Sequence, residues 1–238
     1  MLYEIWRRAS ELIFPSWCEL CQEQTCGDQV LCAQCEGELV PHERPYCLRC
    51  AEPHQSEPMS NTECANCRGV KYYFDFAVAA FTLDSQLLEV VHVLKYARGI
   101  YLAPQLGRLM ARALVDERLM DLDLSEWVVT SVPLHHFRER KRYFNQSAEL
   151  ARHFAKSVGV VYSEMLKRVL PTPHQARLKR AERAKNVKGC FEVKEGDIPP
   201  NVFLVDDVFT TGATVNECAR MMRRAGVQRV IVLVLGRK

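Results

Sequence analysis

Beyond Cys67 the apolar positions fall into alternating strand-like and helix-like stretches. Residues 72–83 are aromatic and β-rich and predict a strand or hairpin. Residues 87–96 and 102–120 carry apolar side chains at helical spacing, the second through Leu102, Leu106, Leu109 and Ala113. Residues 127–132 form a compact, mostly apolar run closed by Pro133, which predicts a buried strand. A helix follows over 145–158, with Ala148, Ala151 and Ala155 on one face, then a short strand over 160–162. Further on, 202–205 predicts a buried strand, 214–225 a helix and 229–235 a last strand after Gly226. This alternation implies a parallel sheet covered on both faces. Such sheets bind ligands at the C-terminal ends of their strands.

The 238 residues suffice for one ordinary domain and a small second one. With 48% hydrophobic and 26% charged residues, the composition is that of a soluble globular chain. No apolar run approaches the roughly 18 residues that span a bilayer. Glu4, Arg7, Arg8 and Glu11 interrupt any signal-peptide core, so a cytoplasmic protein without membrane insertion is expected. The net charge of +3 is unevenly spread. Residues 135–190 hold 14 Lys/Arg against 4 Asp/Glu, a net +10, so the remainder carries −7. Such a basic segment suits an anionic partner: phosphate, pyrophosphate or nucleic acid.

The cysteines are the first specific signal. Nine of the eleven lie between positions 18 and 67, and eight of these form four CxxC pairs. A CxxC pair closes a knuckle around one metal ion, and two knuckles complete a tetrahedral four-thiolate zinc site. The sequential pairing gives Cys18, Cys21, Cys32 and Cys35 for one ion, and Cys47, Cys50, Cys64 and Cys67 for a second. That pairing is the simplest, and the sequence also allows a crossed one. No export signal delivers the chain to a compartment where disulfides form. Four thiolates leave no open coordination position, so the zinc is structural and supplies much of the segment's folding energy. Cys26 is a spectator, and His42 and His54 read as surface residues. The division expected is a zinc-ribbon module over 1–70 and an α/β domain over 71–238.

The sharpest chemistry lies in residues 202–214, VFLVDDVFTTGAT. Four apolar residues run into two carboxylates, then a loop of hydroxyls and one glycine, then a helix. The loop N–H groups and the helix N-terminus favour a phosphate. Gly212 lets the backbone come close to it, and Thr210, Thr211 and Thr214 offer hydroxyls. Asp206 and Asp207 suit the vicinal hydroxyls of a ribose, directly or through Mg²⁺. This stretch resembles the phosphoribosyl pyrophosphate (PRPP) signature of type I phosphoribosyltransferases. The resemblance implies that the acidic pair holds the ribose, and that Thr210, Thr211, Gly212, Ala213 and Thr214 cradle the 5-phosphate.

Together with the CxxC-rich N-terminus, the chain is similar over essentially its whole length to the ComF/GntX family of competence-associated proteins. Further matches are Val132, Pro133 and Leu134; Arg138, Arg142, Tyr143, Phe144, Asn145 and Gln146; and Arg168, Thr172, Gln175, Arg183 and Asn186. Many relatives read Arg-Gly-Phe-Asn-Gln where this chain has Tyr143 in place of the glycine. The resemblance implies a phosphoribosyltransferase-like sheet flanked by helices. It also implies a pyrophosphate-binding loop at 135–143 and a mobile loop over 175–188, with Lys95 either reaching the site or snorkelling at the surface. Loop closure would exclude water. Arginine matches phosphate oxygens with its fork.

The family likeness points to natural transformation, with PRPP and Mg²⁺ at 206–214 and incoming single-stranded DNA as a partner. The DNA would contact Arg138, Arg140, Lys141, Arg142, Arg177 and Arg180, with Phe137, Tyr143 and Phe144 available to stack on bases or to pack. His135 and His136 read as polar loop residues. In the alternative reading the protein is an active phosphoribosyltransferase, with Asp206, Asp207, Arg138 and Arg142 as its catalytic groups. Such an enzyme would pass phosphoribose to a nitrogen acceptor and release pyrophosphate. A third reading makes the zinc module a docking site for a helicase or DNA-translocation protein.

Overall fold

The computed structural model describes residues 16–54, 64–96, 99–135, 139–140, 142–171 and 185–238. Its centre is a five-stranded, all-parallel sheet in the order β1-β7-β6-β2-β3. The strands are β1 (Phe76–Thr82), β2 (Trp127–Ser131), β3 (Val161–Tyr162), β6 (Asn201–Phe209) and β7 (Arg229–Arg237). β4 (Leu166–Arg168) and β5 (Phe191–Val193) form a separate antiparallel ribbon that the sequence pattern did not predict. The helices are α1 (Ala33–Glu38), α2 (Ser85–Tyr96), α3 (Ala103–Leu109), α4 (Gln146–Val158) and α5 (Ala213–Ala225). Among the described residues no helix is long and apolar enough to cross a membrane.

Most elements lie close to where periodicity puts them, with two informative exceptions. The helix expected over 102–120 is broken. A 3-10 turn (Gly99–Leu102) leads into α3, and a second 3-10 segment (Met110–Val115) replaces its continuation. Pro104 sits in the first turn of α3, where its missing N–H costs nothing. At the far end Asp116 accepts hydrogen bonds from Tyr46 and Arg118, which turns the chain away. The second exception is β6. It runs past Val205 through both carboxylates to Phe209, so Asp206 and Asp207 belong to the strand rather than to the loop after it.

Alternation along the strands gives the sheet two apolar faces. On one, Val78, Ala80, Val129, Phe203, Val205, Ile231 and Leu233 pack under α2, α3 and α4. On the other, Ala77, Ala79, Val202, Leu204, Val230, Val232 and Val234 pack under α5 and the β4/β5 ribbon. The cysteine-rich segment joins both. Cys18, Leu31, Cys35 and Leu39 sit in the first core, and Cys47, Cys50, Cys64 and Cys67 in the second. Between them the chain runs along the outer side of β1. The Thr82 N–H donates to the Val40 carbonyl (2.9 Å), the His42 N–H to Ala80 (3.2 Å) and the Ala77 N–H to Arg49 (3.0 Å). These bonds occupy main-chain groups of an edge strand that would otherwise template pairing with another chain.

A buried glutamine ties the first half of the segment to the sheet. Gln105, 4% exposed on α3, accepts the N–H groups of Val30 (2.8 Å) and Leu31 (3.0 Å) and donates to the Leu31 carbonyl and Glu36. Replacing it by leucine strands these backbone groups without partners. Gln105→Leu is expected to cost about 2 kcal/mol, read as a lower urea midpoint at unchanged denaturant slope.

Candidate functional site

β2 stops pairing with β6 at Ser131 opposite Val205, while β6 continues along β7 to Phe209 opposite Arg237. From β2 the chain turns to α4 on one face, and from β6 to α5 on the other. The crevice between two such diverging connections is the ligand site of open α/β sheets. A cavity of about 620 Å³ lies here, bordered by the ends of four strands through Leu83, Val132, Asp207, Thr210 and Lys238.

Asp206 and Asp207 both line it. Lys95, from the last turn of α2, places its ammonium 2.7 Å from Asp207 Oδ2. Asp207 is only 5% exposed. Burial pulls the Lys95 pKa down, but the charge and hydrogen bond of Asp207 outweigh it and leave it raised. Asp206 is held by the Ser147 hydroxyl, which donates to Oδ1 at 2.8 Å. Loss of hydration, then the neighbouring Asp207 charge, push the Asp206 carboxyl up to about 7, while Ser147 and Lys95 act the other way.

The start of α4 supplies three consecutive polar residues to this corner. The Asn145 side chain caps the helix by accepting the N–H groups of Ser147 and Ala148, and donates to the Val132 carbonyl at the end of β2. Gln146 donates to Asp207 Oδ2 (3.4 Å) and accepts from Arg142 Nη1 (3.0 Å). Arg142 also lies over the Tyr96 ring, 4.8 Å from its centroid. A chain of contacts therefore runs from Tyr96 and Arg142 through Gln146 to Asp207, Lys95 and the acidic pair.

Of the residues predicted to hold PRPP, Lys95, Asp206, Asp207, Thr210 and Thr214 line the cavity together with Arg142 and Arg168. Thr211 instead accepts the Ala213 N–H at 3.4 Å. Gly212 has φ +74°, and a Cβ there would lie 2.5 Å from the Phe209 ring. The glycine is thus required by packing on Phe209 as well as by the left-handed turn. Arg140 is exposed. Arg138, Lys141, Arg177 and Arg180 lie outside the described residues, as do His136, Phe137, Thr172, Gln175, Arg183 and most of the loop over 175–188.

Several expectations are corrected. His135 is buried, not a polar residue of an open loop. Of the aromatic residues available to stack or to pack, Phe144 packs in the core, as the packing reading expects, whereas Tyr143 is 71% exposed. Tyr143 has a left-handed backbone (φ +69°), a conformation that favours glycine. His42 and His54 are half-buried, each with a buried Nε2 lacking a hydrogen-bond partner. His42 stacks on Tyr46, and burial lowers its pKa to about 4. Ser147, Gln105 and Arg237 were not singled out, because nothing in their local sequence marks them.

The cysteines gather as the sequential pairing predicts, within 4.8 Å of one another in each group. Sulfur separations of 3.7 Å (Cys21, Cys32), 3.8 Å (Cys47, Cys67) and 3.5 Å (Cys50, Cys64) suit a zinc tetrahedron. Its bonds of about 2.3 Å set sulfurs roughly 3.8 Å apart. The N–H groups of Cys32 and Cys35 point at the sulfurs of Cys18 and Cys32. A hydrogen bond from Cys50 holds the Cys47 thiol down at about 3, while that bond and burial push Cys50 up, and burial pushes Cys67 up to about 12. Thiols so crowded cannot all ionise without a cation among them. All four ligands of the second cluster are buried, but Cys21 of the first is exposed.

The chain is similar to several known proteins. Residues 9–68 match the double zinc ribbon domain. Competence protein F of Haemophilus influenzae is 30% identical over 212 residues, covering 87% of this chain and 90% of the relative. The DNA utilization protein YhgH of Salmonella typhimurium is 31% identical over 231 residues (95% and 99%). Competence protein ComFC of Streptococcus pneumoniae is 26% identical over 220 residues (85% and 86%). Among solved structures, glutamine PRPP amidotransferase from B. subtilis overlaps 56% of this chain and 25% of its own, at 24% identity and a TM-score of 0.37.

Two outcomes follow from the site's local energetics. The folded state binds the Asp206 proton more tightly than the unfolded chain, so this group's contribution favours folding at low pH and is lost as pH rises from about 4 through 7. Asp206→Asn is therefore expected to gain stability relative to the parent between pH 6 and 8, by about 1 kcal/mol or more, in paired urea titrations. Tyr143→Gly relieves a left-handed residue. It is expected to leave stability unchanged or raise it by up to about 1 kcal/mol, where an ordinary exposed Tyr→Gly change lowers it.

Proposed function

This chain belongs to the family of competence protein F and the YhgH DNA utilization proteins, and from that premise we propose that it handles DNA in natural competence and carries a PRPP site. The incoming strand it handles is single-stranded DNA. The observation that carries the PRPP reading is the carboxylate pair at the switch point, with Lys95, Arg142, Thr210 and Thr214 around one cavity.

In this reading Asp206 and Asp207 accept the ribose hydroxyls, and the turn over 210–214 receives the 5-phosphate at the N-terminus of α5. Arg142, aligned by Gln146 and Tyr96, faces the pyrophosphate, and Lys95 balances the charge of Asp207. Asp206 and Asp207 are also the residues that would hold Mg²⁺, a hard cation suited to carboxylate oxygens, whose role there is to neutralise pyrophosphate charge. DNA phosphates are taken by Arg142 and by the exposed Arg140 close to it in the chain, with the exposed Tyr143 available to stack on bases.

Calorimetric titration of Mg-PRPP into the zinc-loaded protein tests the first half. Binding is expected for the parent and is expected to weaken at least a hundredfold in Asp206→Asn/Asp207→Asn; equal affinity in both would overturn the reading. The same double variant is expected to keep its affinity for single-stranded DNA, measured as a salt-dependent anisotropy change. Arg140→Glu/Arg142→Glu is expected to lose that affinity.

A further inference from the structure

The penultimate residue of the chain joins two features that the sequence keeps far apart. Arg237 ends β7, beside Phe209 of β6, and is only 2% exposed. Its Nε donates to the Cys50 carbonyl (2.9 Å), and Nη1 donates to the carbonyls of Phe209 (3.0 Å), Thr210 (3.2 Å) and Lys238 (2.7 Å). Nη2 forms an ion pair with Glu52 and lies 4.0 Å from Cys50 Sγ. The guanidinium also lies over the Phe209 ring, 4.8 Å from its centroid. That ring is the one against which Gly212 turns.

Two groups of acceptors therefore share one buried cation. Cys50 is a member of the second cysteine cluster, and Glu52 follows it two residues on. Phe209 and Thr210 come from the start of the turn that leads into α5. A buried guanidinium cannot lose acceptors without recruiting others, because an unpaired buried charge is strongly destabilising. Displacing Cys50 and Glu52 thus draws on the carbonyls that fix Phe209 and Thr210. Gln105, which ties the first cluster to α3, bonds to Val30, Leu31 and Glu36, so among the described residues it is Arg237 that joins a cluster to this turn.

We infer that Arg237 is a positioning residue linking metal occupancy of Cys47, Cys50, Cys64 and Cys67 to the geometry, and so the anion affinity, of the turn over 209–214. The affinity half of this inference rests on the PRPP reading above; the geometric half does not. By linkage, whatever binds the turn must tighten metal retention in the second cluster by the same factor that the metal tightens binding at the turn.

Amide hydrogen exchange on the full-length, zinc-loaded protein tests the link without any ligand. Glu52→Gln removes the ion pair at its more exposed end, and Arg237→Lys keeps the charge but loses the fork. Both are expected to speed exchange over 209–214 by tenfold or more, with α4 unchanged as the measure of global stability. Unchanged exchange over 209–214 in both zinc-loaded variants would overturn the inference. In parallel, saturating Mg-PRPP is expected to slow transfer of one of the two zinc ions to a chelator by threefold or more in the parent, and not in Glu52→Gln. Faster exchange in a protein that never binds PRPP would uphold the link and defeat the PRPP reading. PRPP binding with unchanged exchange would do the reverse.

Discussion

Two adjacent carboxylates on a central strand are the constraint around which one end of this molecule is arranged. A buried strand can carry charge only where counter-charge and donors converge. The sheet meets that demand at one place, where β2 has ended and β6 has not. Lys95 reaches in from α2, and Gln146 and Ser147 come from the first turn of α4. The cap residue Asn145 fixes that turn to the last carbonyl beyond β2, so its side chains arrive in register with the acids. Loss of hydration, then the neighbouring Asp207 charge, keep the Asp206 carboxyl above its ordinary range even with these partners in place.

The cysteine-rich segment is bound to the same architecture rather than appended to it. A stretch of about fifty residues with so little apolar surface cannot fold on a core of its own. Here each cluster borrows one face of the sheet, and the chain between them runs along the edge of β1. The metal organises the knuckles, and the sheet gives them something to pack on. In return the exposed edge is covered. Each half is secured by one buried polar side chain, Gln105 for the first cluster and Arg237 for the second.

What could be read from the sequence was local. The CxxC spacing, the apolar run into Asp206 and Asp207, and the helix opened by Asn145 each declare themselves within a dozen residues. The features that escaped depend on distant partners. Residues 102–120 keep helical spacing, yet Asp116 is captured by Tyr46 and Arg118 and the helix breaks. The burial of His42, His54 and His135 is a tertiary fact with no sequence signature. Arg237 carries no local mark, because acceptors such as the Thr210 and Cys50 carbonyls lie 27 and 187 residues away in the chain. The β4/β5 ribbon escaped because its strands are only three residues long and well separated in sequence.

Arg142 is where the two anionic ligands of the proposed function meet. It is not a freely solvated cation: Gln146 and Tyr96 hold it, and through Gln146 it is one hydrogen bond from Asp207. Next to it, Tyr143 projects from a backbone conformation that a tyrosine adopts only under constraint. A phosphate that engages Arg142 from the rim pulls on the same Gln146 that steadies the acidic pair. A pyrophosphate within the cavity draws Arg142 inward, away from the rim. Under the proposed function, a sugar pyrophosphate and a nucleic-acid backbone would compete for one guanidinium while each made its own further contacts. Those contacts are the carboxylates and the turn over 210–214 for the small ligand, and Arg140 and Tyr143 for the large one.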